Sequence, residues 1–157
     1  MNNFRAILIT LTLFCLSLGD ATNDDEHFAQ LLKETKSVTV EVKSLIEKTL
    51  AQLPKETDYD LHRERFTKYL DLYQKYQSAS QEDCGEKALE FYDSQNTFFH
   101  LYMRGNLKAT RGTEVIQLLN ENGMQKLLVR IDEERKKGDY DSVNWRKFEE
   151  YIAAGHC

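Results

Sequence analysis

Residues 84–103 read CGEKALEFYDSQNTFFHLYM, and this stretch decides the fold. Its apolar side chains recur at steps of three and four residues, which is the spacing of a helix. They also cover most of the helix circumference, with Leu89 and Phe91 on opposite sides. A helix that is apolar nearly all round is usually central in a bundle. Residues 80–83 form a capping pattern that would open this helix, and Gly105 would close it.

Two long helices are predicted before this segment. The first begins at Asp24 or Asp25 and carries one apolar stripe as far as Leu53. It ends there because Pro54 pushes the preceding residue out of the helical region. The second spans residues 57–77 and opens with a hydroxyl followed by an acid three residues later. No linker, repeat or low-complexity tract interrupts this pattern, so one domain is predicted.

Shorter helices are predicted after the central segment, over residues 113–123, 124–138 and 142–155. A glycine stands at the end of each, as is common just past a helix terminus. The sequence therefore predicts an all-α bundle of five or six helices in which the two long N-terminal helices come first.

The N-terminal segment has the pattern of a secretory signal peptide. Residues 6–18 are apolar or neutral, a run shorter than the roughly 20 residues that span a bilayer. Small residues permit cleavage after Gly19 or after Ala21. An uncleaved anchor or a buried first helix is the alternative. We predict a leader over residues 1–21, a single domain over residues 22–157, an extracellular location, and no membrane span after cleavage.

Two of the three cysteines lie outside this leader, Cys84 and Cys157. In an oxidising compartment they are natural partners, and their bond would enclose the C-terminal half of the chain in a ring. An intermolecular bridge between two copies is the alternative, although we expect a monomer. A reactive thiol is disfavoured because acidic neighbours such as Asp83 raise the pKa of a cysteine.

Charge and motifs argue against several classes of function. The chain has 21 Lys and Arg against 26 Asp and Glu, a net charge of −5, which disfavours nucleic acid or an anionic membrane as the main partner. The chain contains no nucleophile elbow, phosphate loop or zinc-binding pattern. The four histidines lie on different predicted elements, at His27, His62, His100 and His156. We predict no catalytic residue, no metal ligand and no cofactor, and therefore no enzyme.

The tyrosines of the second helix are the most suggestive residues for function. Tyr69, Tyr73 and Tyr76 share one helical stripe. A tyrosine hydroxyl needs a polar partner or water, so the stripe could form a cavity mouth or an exposed binding face instead of plain core. The sequence therefore predicts a secreted protein that binds an extracellular protein or receptor. The alternative is a carrier that holds an apolar small molecule or lipid between aromatic helices.

Overall fold

The computed structural model describes the backbone of residues 3–103 and 108–157, and the side chains of residues 24–103 and 108–157. Within these ranges the chain forms helices and no strands, which confirms the predicted all-α bundle. Two predicted features lie outside the described residues: the side chains of the leader, residues 1–21, and the closing glycine, Gly105. The leader therefore stays a prediction.

Six α-helices occur in the part of the chain that the structure describes. They are α1 (Asn3–Gln52), α2 (Asp60–Gln77), α3 (Cys84–Phe98), α4 (Gly112–Glu121), α5 (Met124–Lys137) and α6 (Trp145–Ala153). Short 3₁₀ turns precede α2 and α6, at Thr57–Tyr59 and Tyr140–Ser142. A five-residue π-helix, Phe99–Met103, continues α3.

The helix ends follow the sequence signals, with three differences. Helix α2 begins at Asp60 and not at the predicted residue 57, because Thr57–Tyr59 forms a 3₁₀ turn. Helix α1 begins at Asn3, earlier than the predicted Asp24 or Asp25, because no proline interrupts the chain before Pro54. The last helix begins at Trp145 and not at the predicted Ser142. The reason is that Asn144 has extended backbone and its side chain accepts a hydrogen bond of 3.3 Å from the Lys147 N–H.

Two helices organise the packing. Helix α1 packs closely against α2, α4, α5 and α6, whereas α3 packs closely against α2 and α6. The central position predicted for α3 is therefore shared with α1. Ala88 and Phe91 of α3 are fully buried, as are Val42 and Ile46 of α1. Burial of large apolar side chains on both helices supplies the main stabilisation of the bundle.

A buried amide joins three helices. The side-chain oxygen of Gln95, on α3, accepts hydrogen bonds from Tyr69 of α2 at 2.7 Å and from Thr39 of α1 at 3.0 Å. All three residues are at most 5% exposed. We call this group the Gln95 node. Because buried hydroxyls require acceptors, it fixes how the three helices align.

A disulfide joins Cys84, the first residue of α3, to Cys157, with Cα atoms 6.0 Å apart. Gly85 allows the two regions to meet, since a Cβ atom there would stand 2.7 Å from the backbone oxygen of Ile152 on α6. The Lys36 ammonium also donates a hydrogen bond to the Cys157 carbonyl and so links α1 to this region. The predicted pairing of the two cysteines is confirmed.

Loss of the disulfide should lower stability substantially. The two cysteines are 73 residues apart, and for a loop of this length the chain-entropy estimate is about 4 kcal/mol. We expect the Cys84→Ser/Cys157→Ser variant to unfold at lower urea concentration by about this free energy. Reduction of the wild type should lower its free energy of unfolding by the same amount. The stability of the double variant should not change when reductant is added. Equal stability of oxidised and reduced protein would contradict the assignment.

Substitutions in the Gln95 node should also lower the stability of the fold. Gln95→Met keeps the size of the side chain and removes the acceptor from two buried hydroxyls, which should destabilise the fold by about 2–3 kcal/mol. Tyr69→Phe removes one donor, leaves Gln95 bonded to Thr39, and should cost about 1 kcal/mol. Urea unfolding measures both, with the exposed neighbour Asn96→Ala as control. A Gln95→Met variant as stable as the control would show that the node does not hold the helices.

Candidate functional site

The predicted tyrosine stripe lies in the interface between α2 and α3. Tyr69 and Tyr76 are buried, at 1% and 6% exposure, while Tyr73 is half-buried. All three rings pack around Phe91, with centroid distances of 5.2, 5.5 and 5.6 Å. The stripe therefore forms part of the core instead of an exposed face, and its role in binding stays a prediction.

The hydroxyls of Tyr69 and Tyr76 form hydrogen bonds inside the protein. Tyr69 donates to Gln95, and the Tyr76 hydroxyl lies 3.2 Å from that of Tyr92. Burial raises the pKa of both Tyr69 and Tyr92 far above the ordinary value. At neutral pH these groups are uncharged and hydrogen-bonded, so they provide no proton donor or nucleophile of unusual reactivity.

A groove runs between α2 and α3 beside this core, with a volume of about 400 Å³. We call it the α2–α3 groove. Its apolar lining includes Leu72, Phe98 and Leu101. Its polar lining comes from both helices: Arg65 and Lys68 from α2, and Glu90, Asp93, Ser94 and Thr97 from α3. The groove is therefore amphipathic.

The π-helix positions one end of this groove. Tyr102, within the π-helix, lies 2.9 Å from Nδ1 of the fully buried His62. The other ring nitrogen of His62 lies 2.8 Å from the backbone oxygen of Thr110. Since a carbonyl only accepts, Nε2 carries the proton that is donated to Thr110. Both ring nitrogens of His62 are thus held by contacts inside the protein, and the π-turn brings Tyr102 to one of them.

A second groove lies between α3 and α6 and has a volume of about 650 Å³. We call it the α3–α6 groove. Its apolar lining comprises Leu89, Tyr92, Phe99, Trp145, Phe148 and Ile152. Trp145 is 55% exposed, and its ring stands edge-on to that of Phe148 at 6.0 Å. Two exposed carboxylates, Asp93 and Glu149, also line the groove.

Two of the remaining three histidines make structural contacts, and the third, His100, is an exposed residue of the π-helix. His27 lies 3.0 Å from the Gly138 carbonyl, and His156 stacks on Tyr151 at 4.1 Å. No group of three or more His, Cys, Asp or Glu side chains in the described ranges could hold a metal ion. No helix of the described residues is long and apolar enough to cross a membrane.

Comparison of the chain with protein-family models, curated proteins and solved structures found no significant match. Inference about function therefore depends on the two grooves.

Sequence reasoning missed two residues of these grooves. Trp145 has the helical spacing of a core residue with Phe148 and Ile152, yet it is exposed at the first position of α6. Arg65 carried no signal, because it is one of many cations on helical surfaces. A signal for Trp145 existed, since the first turn of a short terminal helix has few neighbours to cover a large ring.

The buried tyrosines should make the fold sensitive to alkaline pH. Above pH 10 the unfolded chain releases its tyrosine protons, while Tyr69 and Tyr92 keep theirs in the fold because burial raises their pKa. The free energy of unfolding should therefore fall as pH rises above about 10, by up to about 1.4 kcal/mol per pH unit for each such tyrosine. Urea unfolding at several pH values measures the slope, and Tyr92→Phe should reduce it. Titration of every tyrosine near pH 10 without unfolding would contradict this account.

Proposed function

We propose that this protein is a secreted, non-enzymatic factor that acts by binding another protein, and that the α3–α6 groove is its docking surface. The observation that carries the proposal is the exposure of Trp145 on an apolar groove. Large aromatic side chains are usually well covered, and contiguous exposed apolar surface is typical of interaction sites. Tryptophan is also among the residues that contribute most to binding energy at protein interfaces.

The charges of the groove favour a particular kind of partner segment. Asp93 and Glu149 are exposed at the groove, and neither forms an ion pair with any described residue. A partner helix with an apolar face and a flanking Lys or Arg would cover the apolar lining and neutralise these carboxylates. We therefore infer an amphipathic helix with basic residues as the occupant, a common mode of recognition by grooves between helices.

The carrier function predicted as the alternative has less support. The aromatic interior between α2 and α3 is occupied by the Phe91 contacts of the three tyrosines, and both grooves open toward exposed charged residues. A ligand with no polar group needs a concave site that removes most of its surface from water, and neither open groove provides one. The proposal of secretion rests on the predicted leader alone.

A site-specific crosslinking experiment tests the proposal. The full chain is expressed in secreting cells with the photoreactive amino acid p-benzoylphenylalanine in place of Trp145, or in place of Val129 as control. Val129 is a comparably exposed apolar residue, at 58%, and lies on α5 away from the groove. We expect a discrete crosslinked protein from position 145 that is absent from position 129.

The affinity for that crosslinked protein then gives the quantitative result. Trp145→Ala should weaken binding by about 2 kcal/mol, roughly 30-fold, because a central aromatic anchor is lost. Val129→Ala should leave it unchanged. Since Trp145 is the only tryptophan, its fluorescence should also shift when a partner without tryptophan binds. Identical crosslinks at both positions would contradict the docking surface, and retention of the protein inside the cells would contradict secretion.

A further inference from the structure

The α2–α3 groove contains a cationic side chain with an unused hydrogen-bond donor. Nη1 of Arg65 is shielded from solvent and has no hydrogen-bond acceptor among the described residues. No ion pair of these residues includes its guanidinium either. A buried charged donor without a partner carries a substantial desolvation cost, so such groups in folded proteins call for an explanation. An anion in the groove would remove that cost.

The surroundings of Arg65 do not provide such an anion. The hydroxyl of Tyr102 lies 2.9 Å from Nδ1 of His62. A hydrogen bond with Arg65 also opposes the rise in pKa that burial causes at Tyr102. The hydroxyl is neutral, so it does not balance the charge of Arg65, and Nη1 has no acceptor among the described residues.

Two carboxylates line the groove, and neither forms an ion pair with Arg65 among the described residues. Asp93 lies one helical turn before Thr97, whereas Glu90 lies toward the other end of the groove. Helices α2 and α3 are antiparallel, since Phe66 contacts Tyr102 at 5.1 Å and Tyr76 contacts Phe91 at 5.6 Å. Arg65 therefore belongs to the Tyr102 end. Glu90 precedes Tyr102 by twelve residues, which corresponds to roughly 18 Å along a helix. Glu90 also lies 3.8 Å from Lys87 on its own helix.

The rest of the Arg65 end suits an anionic headgroup with an apolar body. Thr97, one turn before Leu101, is exposed on the opposite wall and forms no hydrogen bond with another described residue. Its hydroxyl can donate to the same oxygen atoms as Arg65. Phe98 and Leu101 supply the apolar lining beside them. A volume of about 400 Å³ falls within the range of small-molecule sites.

We propose that the α2–α3 groove binds a small amphiphile with one anionic headgroup, held by Arg65 and Thr97, and an apolar chain laid along Phe98, Leu101 and Leu72. Carboxylates and phosphates share the required chemistry, because a guanidinium binds both through paired N–H donors. This site is independent of the proposed docking surface, because its ligand contacts α2 and not α6.

Calorimetric titration of the purified protein tests the site with three probes that share one chain length: sodium octanoate, octyl phosphate and octanol. We expect at least one of the two anions to bind, and octanol to bind at least ten-fold more weakly. Arg65→Met should weaken binding of that anion about ten-fold or more, since it removes a charge-assisted hydrogen bond. Arg135→Met removes the same charge on α5 and should bind like the wild type. Octanoate and octyl phosphate distinguish a carboxylate site from a phosphate site.

A second measurement covers the case in which Arg65→Met does not fold. The side-chain N–H resonance of Arg65 in the folded wild type is assigned with Arg65→Lys, which keeps the charge. We expect octanoate or octyl phosphate to shift this resonance and octanol to leave it in place. Binding of octanol equal to that of the anions, undiminished binding by Arg65→Met, or an unmoved Arg65 resonance would each overturn the proposal. Loss of crosslinking at position 145 would contradict the docking surface but not the amphiphile site in the α2–α3 groove.

Discussion

The fold depends on the requirement that a buried hydroxyl must find an acceptor. In the Gln95 node a single amide oxygen meets that requirement for Thr39 and Tyr69 together, so three helices share one polar contact inside an apolar interior. A small shift between apolar surfaces loses little burial, whereas the same shift would break these two hydrogen bonds because they require a narrow range of distance and angle. The ring contacts around Phe91 and the α2–α3 groove lie between two of the helices that the node aligns.

Much of this architecture could be predicted from the sequence, because helical periodicity, Pro54 and the glycines mark where helices begin and end. The pairing of Cys84 with Cys157 could be predicted as well, since only two cysteines lie outside the predicted leader. Periodicity alone does not show which face of a helix meets which neighbour. For that reason the stripe of Tyr69, Tyr73 and Tyr76 was consistent with a binding face, while the structure places it in the core.

The residues of the two grooves were harder to predict for a related reason. A tryptophan at helical spacing with Phe148 has the pattern of a core residue, and only the short length of α6 leaves it uncovered. Arg65 differs from the other cations only because α3 and its π-turn pack over it. The property of Arg65 arises from tertiary packing, so no local pattern in the chain carries it. Asp93 lines both grooves, which makes α3 the wall that separates them.

The bond between Cys84 and Cys157 also determines how the molecule would carry a mechanical load. A pull applied at Cys157 passes through the two sulfur atoms to the first residue of α3, without crossing the segment that lies between the two cysteines. Helices α4, α5 and α6 are therefore shielded from tension, and the load falls on α1, α2 and the contacts that hold them. A tether at Cys157 would leave the α6 side of the α3–α6 groove undistorted.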